Sequence, residues 1–184
     1  MRLILMAVVL VAVAGGVAVL LYNKLVQLRV RSESAWADID VQLKRRHDLI
    51  PNLVETVKGY AGHEQKTFEE VARLRTQAQA ASALADRAKA EGELTLALRG
   101  LFAVAENYPQ LRASENFLAL QQSLSEIEDA LQNARRYYNA VVRDLNVAVQ
   151  SFPSNLIAGT LGFQIRSFFE LESASERHPA PVKF

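Results

Sequence analysis

The chain has 184 residues, half of them hydrophobic, with 21 Lys and Arg set against 20 Asp and Glu. This length fits one domain with an appendage, and a net charge of +1 leaves no cationic surplus to seek phosphates, which argues against nucleic acid as a main partner. There is no cysteine, so disulfides, thiolate metal sites, iron–sulfur clusters and Cys nucleophiles are excluded.

Residues 3–22 run LILMAVVLVAVAGGVAVLLY without a charge. At about 1.5 Å of rise per residue such a helix covers about 30 Å, the hydrocarbon thickness of a bilayer. A cleaved signal peptide, with Arg2 as its basic start and Ala12-Val13-Ala14 as its cleavage site, is the competing reading. That site lacks a polar lead-in, and cleavage would leave an apolar new terminus, so residues 1–22 are read as a transmembrane anchor. Only Arg2 and the terminal amine precede the span, whereas Lys24, Arg29 and Arg31 follow it. The positive-inside rule then favours a cytoplasmic domain, by a small charge margin that leaves a periplasmic or extracellular one open.

Residues 23–155 carry the pattern of a helical bundle. Trp36, Ile39, Leu43, Ile50, Leu53, Val57 and Tyr60 recur at 3-4 spacing, with Arg46 the one polar intruder. Pro51 removes a backbone donor and crowds the preceding turn, which predicts a kink near residues 47–50. A second helix is predicted from residue 63 or 64 to residue 81, with Phe68, Val71 and Ala78 inward. The Ala-rich stretch 77–90 reads as a frayed end or connector. A third helix is predicted over 93–106 on Leu94, Leu98, Leu101, Phe102 and Ala105, ended by Tyr108-Pro109. The fourth is the clearest: Phe117, Leu120, Leu124, Ile127, Leu131, Ala134, Tyr138, Val141, Leu145, Ala148 and Phe152 step 3, 4 without an error over about 54 Å. The predicted fold class is all-α, an N-terminal transmembrane helix followed by a long antiparallel up-down bundle.

In such a bundle the last helix returns toward the membrane. Residues 156–172 then form a short membrane-proximal segment, with Ile157, Leu161, Ile165, Phe168 and Leu171 on one helical face. This face either caps the open end of the bundle or dips into the headgroups, which makes Ile157, Leu161, Ile165 and Phe168 candidate membrane contacts. Residues 173–184 are polar and Pro-containing and read as a disordered tail.

Little here promises chemistry. His63-Glu64 opens like a zinc-protease helix, but the second His is missing. His47, between Arg46 and Asp48, reads as solvated or salt-bridged. There is no Gly-rich phosphate loop, no nucleophile elbow and no carboxylate pair spaced for acid–base work, so no catalytic, cofactor or metal residue is assigned and the chain is read as non-enzymatic. The run Lys44-Arg45-Arg46 reads as a solvated face, partly offset by Asp40 and Asp48. Asn139 and Asn146 flank the last seam seven residues apart, where they can bond across helices and fix register or serve as ordinary polar flank.

The segments AWADIDVQLKRRHDLIPNLVETVKGYAGHE (35–64), AENYPQLRASENFLALQ (105–121), ARRYYN (134–139), FPSN (152–155) and the closing Pro181-Val182-Lys183-Phe184 resemble the LemA family of bacterial membrane proteins. Leu145 departs from the pattern, since the family often has Tyr before that Asn. The resemblance implies a bacterial inner-membrane anchor, a helical bundle, no established enzymatic activity, and membrane organisation by analogy with a family relative associated with magnetosome membranes. It marks Asp38, Asp40, Arg45, Arg46, Asp48 and Asn52 as signature residues without a role. The expected function is a self-associating scaffold that organises or shapes the membrane, with the lipid bilayer and further copies of itself as partners. The alternative is an adaptor presenting a partner protein, such as a membrane protease or signalling protein.

Overall fold

A computed structural model describes residues 1–170. The tail read at 173–184, together with Leu171, lies outside the described residues. The fold is all-α, with no strand among the described residues: α1 (Arg2–Lys58), α2 (Gln65–Ala80), α3 (Leu84–Glu106), α4 (Pro109–Arg112), α5 (Glu115–Gln150) and α6 (Ser154–Thr160). The described chain forms two compact units, residues 1–39 with 133–168, and residues 40–132 with 169–170. The long helices α1 and α5 contribute to both.

In the first unit α1 begins with the apolar stretch, and every residue from 1 to 20 is exposed. Burial starts at Leu25 and Leu28, which pack with Leu145 and Ala148 of α5 and Ala158 of α6. Further along, the Trp36 ring meets the Tyr138 ring edge-on at 5.4 Å. Advancing along α1 thus means retreating along α5, the antiparallel pairing that the two seams imply.

Helix α5 stops at Gln150, and its last carbonyls need donors. Ser154 supplies one: its hydroxyl donates to the carbonyls of Ala148 at 2.6 Å and Ser151 at 2.9 Å. Gly162, at φ +72°, closes α6 in a left-handed turn where a side chain would be strained, and the Phe163 amide donates back to the Ala158 carbonyl. The apolar stretch is therefore not one helical face. Of its residues only Ile157 lies on a helix, while Leu161, Ile165 and Phe168 follow without regular structure. Two interactions hold that chain away from a helix. The Asn146 amide donates to the Arg166 carbonyl and accepts from the Arg166 amide, both at 2.8 Å, and the Tyr138 hydroxyl donates to the Ser167 carbonyl at 3.1 Å. Burial pushes the Tyr138 phenol above its ordinary value, so it remains a donor through neutral pH.

The second unit is built on Ile50, Leu53 and Val57 of α1, which pack with α2, α3 and the first turns of α5 in one continuous core. Phe68, Val71 and Ala78 are buried as predicted, and Leu74 joins them on the same 3-4 face. The Ala-rich stretch is mostly helix, not connector: α3 starts at Leu84, nine residues before the predicted 93, because alanine favours helix even where it gives no amphipathic pattern. The seam ends early at two places. Tyr60 and Phe152, 46% and 80% exposed, lie beyond the last residues of α1 and α5 and so lose the helical periodicity that would turn them inward.

Leu53 is fully buried whereas Leu118 is half exposed. Leu53→Ala is expected to cost about 2–5 kcal/mol in denaturant unfolding of the reconstituted protein. Leu118→Ala should stay within about 0.5 kcal/mol.

Candidate functional site

Within the second unit, one stretch of α1 concentrates the polar chemistry. Helix α1 runs through Pro51 without interruption, although a proline there cannot donate to the carbonyl of residue 47. Arg75 of α2 takes the vacancy, its Nε donating to the His47 carbonyl at 2.7 Å. The proline that predicts a kink thus creates an acceptor that ties α2 to α1.

Next to it lies Arg46, 1% exposed. Its Nη1 donates to Glu91 Oε2 at 3.0 Å and its Nη2 to Thr95 Oγ1 at 2.7 Å, both on α3. Its Nε stands 2.8 Å from Glu128 Oε1 on α5. Glu91, also 1% exposed, faces both the Arg46 guanidinium and an imidazole, since its Oε1 lies 2.8 Å from His47 Nε2. Thr95 completes the chain by donating to the Glu91 carbonyl at 2.8 Å. A second pair, Arg87 with Asp40 at 2.7 Å, joins α3 to α1 nearer the surface.

Taking a charge out of water costs several kcal/mol, and mutual attraction repays it only when every partner is in place. The guanidinium here is surrounded from two other helices, so the cluster specifies how α1, α3 and α5 register more than it adds net stability. No group of three or more His, Asp or Glu side chains among the described residues is arranged to hold a metal.

Sequence reasoning placed the run Lys44-Arg45-Arg46 on a solvated face. This holds for Lys44 and Arg45 but not for Arg46, whose 3-4 spacing with Leu43 and Ile50 carries it inward. His47 is buried, with its Nε2 against Glu91. Of the other signature residues, Asp40 pairs with Arg87, while Asp38, Arg45, Asp48 and Asn52 are exposed. The Lys44 ammonium, 2.6 Å from Asp48, hydrogen-bonds it and holds its carboxyl below the ordinary aspartate value. Asn146 secures the Arg166 backbone, and Asn139 is half-buried. Glu91 and Thr95 are not singled out in the sequence, and Glu128 belongs to an Ile127-Glu128 pair that resembles the family without a role. Glu91 precedes Leu94 and Leu98 at the same 3-4 spacing, a signal masked by the alanines around it. His63 and Glu64 precede α2 instead of lying on it.

Fold and cluster together define a class: an all-α bundle tied by buried charge, entered by a helix long and apolar enough to cross a bilayer. Within that class the chain belongs to the LemA family, whose sequence model matches residues 35–184. It is 26% identical to magnetosome protein MamQ 2 of Paramagnetospirillum magneticum over 200 aligned residues, covering 94% of this chain and 74% of that one. It is 24% identical to magnetosome protein MamQ of Magnetospirillum gryphiswaldense, covering 84% of this chain and 66% of the relative. Identity to protein LemA of Metamycoplasma hominis is 22%, covering 80% and 68%.

Glu91→Ala is expected to cost about 3–5 kcal/mol, because it removes the one fully buried carboxylate that faces the Arg46 guanidinium and leaves only the part-exposed Glu128 to offset its charge. The double variant Arg46→Met with Glu91→Leu should recover most of that loss in the same unfolding measurement, or exceed wild type.

Proposed function

We propose that this protein is a single-pass, non-enzymatic scaffold of the bacterial inner membrane, its bundle in the cytoplasm, which self-associates to organise or shape the bilayer. The observation that carries the reading is the amino-terminal part of α1: an apolar helix of membrane-spanning length, exposed along its whole length, with no protein surface of its own to cover it. Lipid is the solvent such a surface requires. The small residues Ala7, Ala12, Ala14, Gly15, Gly16 and Ala18 support lateral association, since they let helices approach closely, and the space beside Gly15 and Gly16 is open. The magnetosome proteins among its relatives support a role in membrane organisation.

One observation favours the adaptor as second reading. Arg45, Asp48 and Asn52 follow one another at 3-4 spacing on α1 and are all exposed, a stripe of signature residues facing outward where the core does not need them. Under this reading Arg45→Ala with Asn52→Ala releases a co-purifying protein and leaves the bundle folded.

Electron microscopy of the full-length protein in liposomes tests the scaffold, with expected ordered arrays or bent membranes joined by Gly15→Cys dimers on oxidation. Flat membranes carrying only monomers would reject it. For orientation, the chain has no thiols to remove: Leu118→Cys should resist a membrane-impermeant maleimide in intact spheroplasts and react after lysis. Labelling before lysis would place the bundle outside.

A further inference from the structure

Helix α6 sits in the first unit beside the end of the apolar stretch. Ala158 is buried against Leu25, and the Phe163 ring meets the Tyr22 ring edge-on with centroids 6.1 Å apart. Leu25 lies three residues past Tyr22, about 4.5 Å along the helix. Beyond the hydrocarbon the headgroup layer is about 5–7 Å deep on each side. If residues 3–22 fill the hydrocarbon, α6 is therefore level with the headgroups.

Three large side chains in and beside α6 turn away from the protein: Phe152 at 80%, Leu156 at 63% and Leu161 at 56% exposed. Their charged surroundings have one sign. No carboxylate occurs between Asp144 and Glu170, or between Met1 and Glu33, whereas Lys24 lies at this level and Arg29, rooted about 10 Å past Tyr22, brings its guanidinium to 5.2 Å from the centre of the Phe163 ring that stands against Tyr22. Apolar side chains flanked by cations and free of anions suit the surface of an anionic bilayer.

We propose that α6 and its flanks form a collar in the headgroup layer of the anchoring membrane, with Phe152, Leu156 and Leu161 inserted into lipid and Lys24 and Arg29 against anionic headgroups. The proposal rests on the membrane-spanning reading of residues 3–22. It selects among the apolar residues of this region. Ile157 belongs to the packed side of α6. Ile165 and Phe168 flank Arg166, which bonds Ser32 and Glu33, about 15 Å past Tyr22 and above the headgroups.

The test uses the full-length protein, cysteine-free by nature, carrying one nitroxide at a time through Phe152→Cys, Leu156→Cys or Leu161→Cys, with Leu10→Cys and Leu118→Cys as references. Proteins are reconstituted in phosphatidylethanolamine–phosphatidylglycerol vesicles, and each label is scored for collisions with oxygen, which enters lipid, and with a nickel chelate, which stays in water. The collar predicts that labels at 152, 156 and 161 collide with nickel at least several-fold less than the label at 118, and with oxygen more. Nickel access equal to that at 118, with the label at 10 still in lipid, would overturn the collar and leave the anchor standing. Nickel access at 10 as well would overturn the anchor itself. Exclusion of both reagents with spin–spin broadening, relieved by unlabelled protein, would mean that a second copy covers the patch and would also overturn the collar. In vesicles without phosphatidylglycerol, nickel access at 156 should rise, and no change would remove Lys24 and Arg29 from the proposal.

Discussion

The second unit depends on one buried charge. Arg46 occupies a position where the seam of α1 asks for an apolar side chain, and a guanidinium cannot stay there alone. Glu91 and Thr95 must come from α3 and Glu128 from α5, each within hydrogen-bond or ion-pair reach. An apolar core tolerates sliding by one turn, because one leucine replaces another at similar cost. A slide of one turn here, about 5.4 Å, would leave charges buried without partners. Pro51 adds the fourth helix by the same logic, since the acceptor it frees at His47 is met by Arg75 of α2.

The first unit solves its polar problem differently. Its difficult groups are backbone carbonyls and amides where helices end and the chain runs on without regular structure. Asn146 presents an amide that bonds both backbone groups of Arg166, as a neighbouring strand would. Tyr138 and Ser154 each cover a carbonyl from the side. These are neutral hydrogen bonds, individually modest, and they hold the chain after α6 along the helices without burying a charge.

The seams were legible because their information is local. Leu124, Leu131, Tyr138 and Leu145 repeat every seven residues, and nothing distant is needed to see that they share a face. Arg46 obeys the same spacing, yet its type and its neighbours Lys44 and Arg45 point toward solvent, and the carboxylates that reverse the judgement lie 45 and more residues away. Glu91 is hidden in alanines that form helix without announcing a face. The bond from Asn146 to Arg166 joins a side chain to backbone atoms that every residue possesses, so no residue type at the far end marks it. The reading of residues 157–168 as one helical face failed for a related reason: apolar spacing describes only what a helix would bury, while Gly162 and Asn146 determine that none continues past Thr160.

Residues 1–39 run as part of one uninterrupted helix, with no linker between the apolar stretch and the packed turns at Leu25, Leu28 and Trp36. A helix advances about 100° per residue, so the face of the anchor that carries Ala14 and Ala18 has a set rotational phase relative to the face that carries Leu25 and Leu28. Two anchors meeting through their small residues would therefore present the same pair of outer surfaces to one another above the membrane each time they met. A flexible tether would scramble that relation. In such a pair the geometry of contact within the lipid would be carried, turn by turn, into the geometry of contact outside it.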